Sequence, residues 1–200
     1  MIVGIVLAAG QSSRLGRPKQ LLPLMGEPII RHIIRRALAS SLDEVVLVVG
    51  HQWAAIAAAV TDLPVRIVPN PEAARGQSTS VRAGLASLPP ETEAAVFLLG
   101  DQPGVEQGVI DALITTWRDS GAPVVAPRYA DGLGNPVLFD RRVFAELAAL
   151  EGDVGARLIV RAHEAAGDLL LLSVDRSAPP DIDTDEDYAA LVTSWEGEDD

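Results

Sequence analysis

The sequence predicts a three-layer, Rossmann-like α/β fold, in which helices cover both faces of a mostly parallel central sheet. Three observations predict it. Short runs rich in Val, Ile and Leu alternate along the chain with segments of helical spacing. Those runs are apolar throughout, the pattern of strands buried on both faces of a parallel sheet. The repeated βαβα order places helices on the faces of the sheet it builds.

The strand-like runs are residues 2–7, 45–49, 65–68, 94–99, 124–126 and 169–174. Residues 28–39 read as the first helix, with Pro28 in its first turn and Ile29, Ile30, Ile33, Ile34 and Leu38 at helical intervals. The Ala-rich segment 52–60 is the second, 78–88 and 106–120 follow, and 183–195 closes the series. His32 and His163 fall on helical segments and read as structural or surface histidines. Residues 129–139 break the rhythm, because Asp131-Gly132 and then Gly134 predict a small β-hairpin or an irregular insertion. No repeat, low-complexity stretch or linker interrupts the chain. Residues 1–195 therefore read as one domain, and the EGEDD tail at 196–200 as a solvated, frayed terminus.

Composition narrows the function. A chain of 200 residues, 48% hydrophobic and 22% charged, can bury a sizeable core. It has no apolar run of the roughly 18–20 residues that span a bilayer. The opening MIVGIVLAAG is too short for that and lacks the basic region of a signal peptide. The absence of cysteine excludes disulfides, thiolate chemistry and cysteine-ligated metals, and makes the cytoplasm the expected location. A net charge of −12 argues against a nucleic-acid-binding surface. It does not exclude a nucleotide, which arrives with its own magnesium and needs only a few local cations.

The most informative segment follows the first strand: LAAGQSSRLGRPK, residues 7–19. After Leu7, the small residues Ala8, Ala9 and Gly10 let a ligand approach the backbone closely, and glycine frees N–H groups for phosphate. Arg14 and Lys19 add fixed positive charge suited to a polyphosphate. Gly10 and Gly16 are separated by five residues and followed by Arg17-Pro18, so this is neither a Walker A loop nor a G-x-G-x-x-G fingerprint. Later, the run 94–99 ends in Gly100-Asp101-Gln102-Pro103. A carboxylate at the carboxyl end of a central strand points into the crevice where α/β proteins bind ligands. Asp101 therefore reads as a ligand for magnesium, which prefers hard oxygens.

The pattern LAAG-x-S-x-R-x-G-x-x-K resembles the signature of the NTP-transferase (MobA-like) superfamily, in the branch of the molybdenum cofactor cytidylyltransferases. The resemblance implies the nucleotide-diphospho-sugar transferase type of fold, with this segment around the NTP phosphates. Arg14 and Lys19 would then neutralise the triphosphate and the leaving pyrophosphate. Where related guanylyltransferases carry LAGG, this chain has LAAG, which implies cytidine over guanosine. Further segments match in the family's order. Gly76 and Ser80, within GQSTSVRAG, resemble the pyrimidine contact, although Ser78 or Thr79 also reads as a helix N-cap. GDQP supports Asp101 as a metal ligand. DIDT-x-ED, residues 181–187, would bring Asp183 to the same metal, with Thr184 or Asp185 starting the last helix. Asn135 and Pro136, where the family often has His before the proline, and Arg157 in GDVGAR resemble acceptor-binding segments. Asp153 also reads as a helix cap, and Arg157 as an ion-pair partner.

The resemblance implies transfer of CMP from CTP to the phosphate of molybdopterin, with Mg2+ as cofactor and pyrophosphate released. A molybdenum hydroxylase or its maturation factor would be a protein partner. Rival readings are transfer of guanylyl or another nucleotidyl group to a different phosphorylated acceptor, and a cofactor carrier without transferase activity. An oxidoreductase acting on a flat heterocycle is a remoter reading, without a dinucleotide fingerprint to support it. His51, after the run 45–49, reads as a loop histidine near the cleft. Trp53, Trp117 and Trp195 read as core or edge packing.

Overall fold

The computed structural model describes residues 1–10, 12, 14–50 and 53–197. The elements begin with strands β1 (Ile2–Ala8), β2 (Pro23–Leu24) and β3 (Glu27–Pro28), then helix α1 (Ile29–Ala39). Strand β4 (Glu44–Val49), helix α2 (Trp53–Ala58), strand β5 (Arg66–Pro69), helix α3 (Gln77–Ala86) and strand β6 (Ala94–Leu99) come next. Helix α4 (Gln107–Ser120) leads to strands β7 (Val124–Tyr129), β8 (Gly132–Leu133) and β9 (Val137–Asp140). Helices α5 (Phe144–Ala148) and α6 (Arg157–Ala166), strand β10 (Leu169–Ser173) and helix α7 (Asp185–Glu196) complete the series.

One sheet of eight strands organises these elements, in the order β10-β7-β9-β6-β1-β4-β5, with β8 paired to β7. β1 runs parallel to β4 and β6 on either side, and β5 and β10 extend the parallel pairing at the two edges. β1 is apolar throughout because it packs on both faces. Ile2, Val6 and Ala8 enter one core, while Val3 and Ile5 enter the other. The first core collects α1, α2, α4 and α7; the second collects α3, α5 and α6. Ile29, Ile30, Ile33 and Ile34 of α1 are at most 1% exposed. Burying each contributes about 1.5–3 kcal/mol, enough to hold an element whose opposite face is basic.

Two local outcomes depart from the expectations. The turn after β7 does form a hairpin with β8, but the residues that follow are no insertion. β9 enters the sheet between β6 and β7, antiparallel to both. Its Val137, Leu138 and Phe139 are buried, which satisfies two sheet neighbours and two cores at once. The helix containing His163 and the short α5 also had no boundaries in the sequence reading. Glu196 is the last residue of α7, while residues 198–200 of the acidic tail lie outside those described, as do His51 and Gln52. No helix among the described residues is long and apolar enough to cross a membrane.

Candidate active site

The carboxyl ends of β1, β4, β5 and β6 lie side by side, and the loop after β1 lines the cavity there through Ala9, Gly10, Ser12 and Pro18. That loop folds back on itself: Gly16 N–H donates to the Ser12 carbonyl (3.0 Å), and Lys19 N–H to Ser12 Oγ (3.2 Å). The return turns Lys19 inward. Its ammonium donates to the Asp101 carboxylate and to Asp183 Oδ1 (2.9 Å). Burial works to discharge this lysine, but the Asp101 charge, and after it Asp183, hold its pKa above the ordinary lysine value. Arg14 reaches Asp183 Oδ2 at 3.1 Å, and Arg17 reaches Asp185 at 2.7 Å. The structure thus brings Arg14, Lys19, Asp101 and Asp183 into one charged cluster at the edge of the sheet.

Asp183 is delivered there by the start of α7. Thr184 caps the helix and accepts from Asp187 N–H (3.1 Å), while Asp187 accepts from the Thr184 N–H (2.8 Å). Gln102, beside Asp101 and 5% exposed, donates to Asp181 Oδ1 (2.8 Å) and to the Pro179 carbonyl (3.2 Å). Burial, with the Asp101 charge behind it, pushes Asp181 above the usual carboxylate range.

Gly76 and Ser80 lie at the start of α3, where a correction is needed. Neither Ser78 nor Thr79 caps the helix. Gly76 is the N-cap residue, with φ +121°, and the hydroxyls bind elsewhere. Ser78 Oγ donates to the Gly152 carbonyl (2.7 Å), and Thr79 Oγ1 to that of Gly76 (2.8 Å). A Cβ on Gly76 would stand 2.4 Å from the Gly152 carbonyl oxygen, so only glycine allows this approach. Asp153 completes the junction by accepting from Gln77 N–H (3.2 Å), at the start of α3. Asn70, 4% exposed, holds the region together by donating to Thr79 Oγ1 (2.9 Å) and Ser80 Oγ (3.0 Å).

Two adjoining cavities occupy this edge. One, of about 520 Å³, is lined by Leu7, Lys19, Gly76, Ser80, Asp101 and Asp153 among others. The other, of about 790 Å³, extends towards α2 past Ala8, Gly50, Trp53 and Asn70. Ala9, Gly10, Gln20, Ala73 and Ala74 belong to both walls. Trp53, expected in packing, is instead 50% exposed. A third cavity, of about 320 Å³, is lined by Asn135, Arg157, Phe97 and Phe139 among others. Phe97 and Leu99, two apart on β6, share a face of the sheet, and Leu99 lines the cleft containing Asp101. Asn135 accepts from Tyr129 through its carbonyl (2.8 Å) and joins Pro136 by a cis peptide bond. Arg157 makes no ion pair among the described residues, which leaves its charge to the cavity.

A family comparison now decides the lineage: the MobA-like NTP transferase domain matches residues 4–166. The chain belongs to that family. Nicotine blue oxidoreductase of Paenarthrobacter nicotinovorans is 32% identical over 198 residues, 96% of each chain. Purine catabolism protein PucB of Bacillus subtilis is 30% identical over 197 residues, 94% of each. The crystal structure of Rv0371c from Mycobacterium tuberculosis H37Rv superposes with a TM-score of 0.85 at 37% identity, covering 96% of this chain and 97% of that one. A further crystal structure of Rv0371c, in complex with manganese, gives 0.85 at 34% identity, covering 96% and 98%.

The donor chemistry of this candidate site fits a divalent hard cation. Asp101 and Asp183 already converge on one cation, the Lys19 ammonium, with their carboxylate side chains 17% and 47% exposed. Among the described residues no group of three or more His, Cys, Asp or Glu is placed to hold a metal. Two carboxylates are what a magnesium-type ion uses when substrate phosphates and water supply its remaining ligands. Sequence reasoning missed Gln20, Trp53, Asn70 and Gln102 here. Gln102 stood inside the quoted GDQP motif and Asn70 six residues before GQSTSVRAG, but nothing in their spacing showed which atoms they would reach.

Proposed function

We propose that this chain is a nucleotidyltransferase that carries CMP from CTP to the phosphate of molybdopterin, with residues 1–195 acting as one catalytic domain. The observation that carries the reading is Lys19 held between Asp101 and Asp183 at the mouth of the LAAG loop. The base lies against the wall shared by the two larger cavities, beside Ala8 and Ala9, with Gly76 and Ser80 reaching it from the cleft. Ser80 Oγ accepts from Asn70, so its own O–H is left to donate, and cytosine offers acceptors at O2 and N3. The triphosphate follows Leu7 to Gly10 towards Lys19 and Arg14.

In the reaction an acceptor phosphate oxygen bonds to the α-phosphorus, in line with the bridging oxygen that leaves with pyrophosphate. Lys19 and Arg14 lie where negative charge grows on that leaving group, and such preorganised charge lowers the barrier without a covalent intermediate. A magnesium ion held by Asp101 and Asp183 would supply charge neutralisation on the triphosphate. An acceptor phosphate is already ionised near neutral pH, so no strong general base is needed. Asn135, Pro136 and Arg157 position the acceptor in the third cavity, where the Arg157 charge meets its phosphate. A molybdenum hydroxylase or its maturation factor would receive the product.

Calorimetric titration with CTP, GTP, ATP and NADPH, each with and without magnesium, tests the reading. Magnesium-dependent binding of CTP above the others, weakened at least tenfold by Asp101→Ala, is the expected result. Preference for GTP would keep the chemistry and overturn the cytidine assignment. Binding of NADPH alone would overturn the transferase reading in favour of the oxidoreductase activity named for the Paenarthrobacter relative.

A further inference from the structure

The 790 Å³ cavity is walled largely by small or flat residues: Ala8, Gly50, Pro69, Pro71, Ala73 and Ala74. Gly50 keeps its floor bare, since a Cβ there would lie 2.6 Å from the Ala9 carbonyl oxygen. Against this low relief stands one large ring. Trp53 begins α2, its N–H donates to the Gly50 carbonyl (3.1 Å), and half of its surface is exposed. Trp117 and Trp195 are committed elsewhere. Trp117 Nε1 donates to Asp140 (3.0 Å), and the Trp195 ring lies against His32 and under Arg36.

Gln20 supplies a second, independent observation. It is 2% exposed, lines both larger cavities, and its amide forms no hydrogen bond among the described residues. That amide borders both cavities, and a ligand offering a donor and an acceptor can pair with it in place of water. A half-exposed indole over a shallow apolar wall, with a free amide beside it, suits a flat heterocycle with apolar faces and polar edges.

We propose that Trp53 and Gln20 complete a nucleoside pocket, with Trp53 stacking on the face of the nucleobase and the Gln20 amide pairing with the nucleoside's polar atoms. The proposal rests on the nucleotidyltransferase reading above and adds residues absent from the recognised motifs. Trp53 supplies affinity for any base, because every base has a stacking face; Gln20 supplies orientation.

Titrating magnesium-CTP and magnesium-tripolyphosphate, the latter lacking the nucleoside, into wild type, Trp53→Ala, Trp53→Phe and Gln20→Leu tests this. CTP should quench tryptophan fluorescence in the wild type and tripolyphosphate should not. Trp53→Ala should weaken CTP binding about 5- to 150-fold, the range measured for loss of one stacking partner. Gln20→Leu should weaken CTP binding about tenfold. Trp53→Phe should keep CTP affinity within a few-fold and lose the quench. Tripolyphosphate affinity should stay unchanged in all three. Trp53→Ala alters a half-exposed side chain, so it decides the matter even if the buried Gln20→Leu change prevents folding. Equal binding of CTP by wild type and Trp53→Ala, or parallel loss of tripolyphosphate, would overturn the pocket alone. Failure of the wild type to bind any nucleoside triphosphate would instead overturn the transferase reading.

Discussion

Lys19 is the residue on which the site's electrostatics turn. Its ammonium is 11% exposed and touches two carboxylates, so a single charge organises both Asp101 and Asp183 before any substrate arrives. Because its folded pKa lies above the ordinary lysine value, the charge persists across the whole neutral and mildly alkaline range. Removing a preorganised charge aimed at developing negative charge commonly costs 10²–10³-fold, and Lys19→Ala should lower kcat/KM by about that factor. Lys19→Arg keeps the charge but replaces a compact ammonium with a planar fork, and should restore only part of the loss. Steady-state kinetics of nucleotidyl transfer checks both. Equal rates in Lys19→Ala and wild type would remove the lysine from the mechanism. Lys19 and Asp101 stood out in the sequence as ionisable groups in segments of distinctive spacing, and Asp183 through the resemblance of DIDT-x-ED. Trp53 was not: in the Ala-rich stretch WAAIAA an aromatic reads equally as packing, and only its 50% exposure shows otherwise.

At the scale of elements, the site depends on two segments meeting end to end. One is the turn after β6 that carries Asp101; the other is residues 179–183, leading into α7. Gln102 is the brace between them, bonded to Asp181 and Pro179 from a buried position. Groups that orient metal ligands from behind typically contribute 10–100-fold to metal affinity. Gln102→Leu should therefore weaken Mn2+ binding, read by electron paramagnetic resonance, by about that factor, while tripolyphosphate still binds Lys19 and Arg14. Unchanged Mn2+ affinity with a lowered melting temperature would reduce Gln102 to a packing role. The core strands, α1 and α4 were legible because unbroken apolar runs and 3.6-residue spacing are strong local signals. β9 was not. Its four residues follow a genuine turn signal, and their place between β6 and β7 depends on pairing with strands distant in sequence. The α3 cap misled for a related reason, since the Ser78 hydroxyl donates to Gly152 and that of Thr79 to the Gly76 carbonyl, and neither accepts from an N–H of the first turn.

For the molecule as a whole, a net charge of −12 makes the carboxylates with fixed partners decisive for stability in acid. Among the described residues, two with a lowered pKa stand outside the candidate site. Asp62 is held at about 2, chiefly by its hydrogen bonds from Arg31 at 2.6 and 2.7 Å. Asp140, at the end of β9, is pushed upward by burial, but hydrogen bonds from Arg142 and Trp117 outweigh that and leave it below the usual carboxylate range. Asp140 thereby joins α4, through Trp117, to the antiparallel strand of the sheet. Both groups bind protons less readily folded than unfolded. Their contribution is complete above the unfolded carboxylate pKa of about 3.9 and disappears as pH falls through the lower folded values. The melting temperature should hold above about pH 5 and decline between about pH 4 and pH 2. Asp140→Asn should melt several degrees lower than wild type at pH 7, and the two should converge as pH falls through the lowered folded pKa of Asp140, where the wild-type carboxylate loses its charge. Calorimetric scans across that range check this. A difference that stayed constant with pH would mean that Asp140 acts through shape and neutral hydrogen bonds, not through its charge.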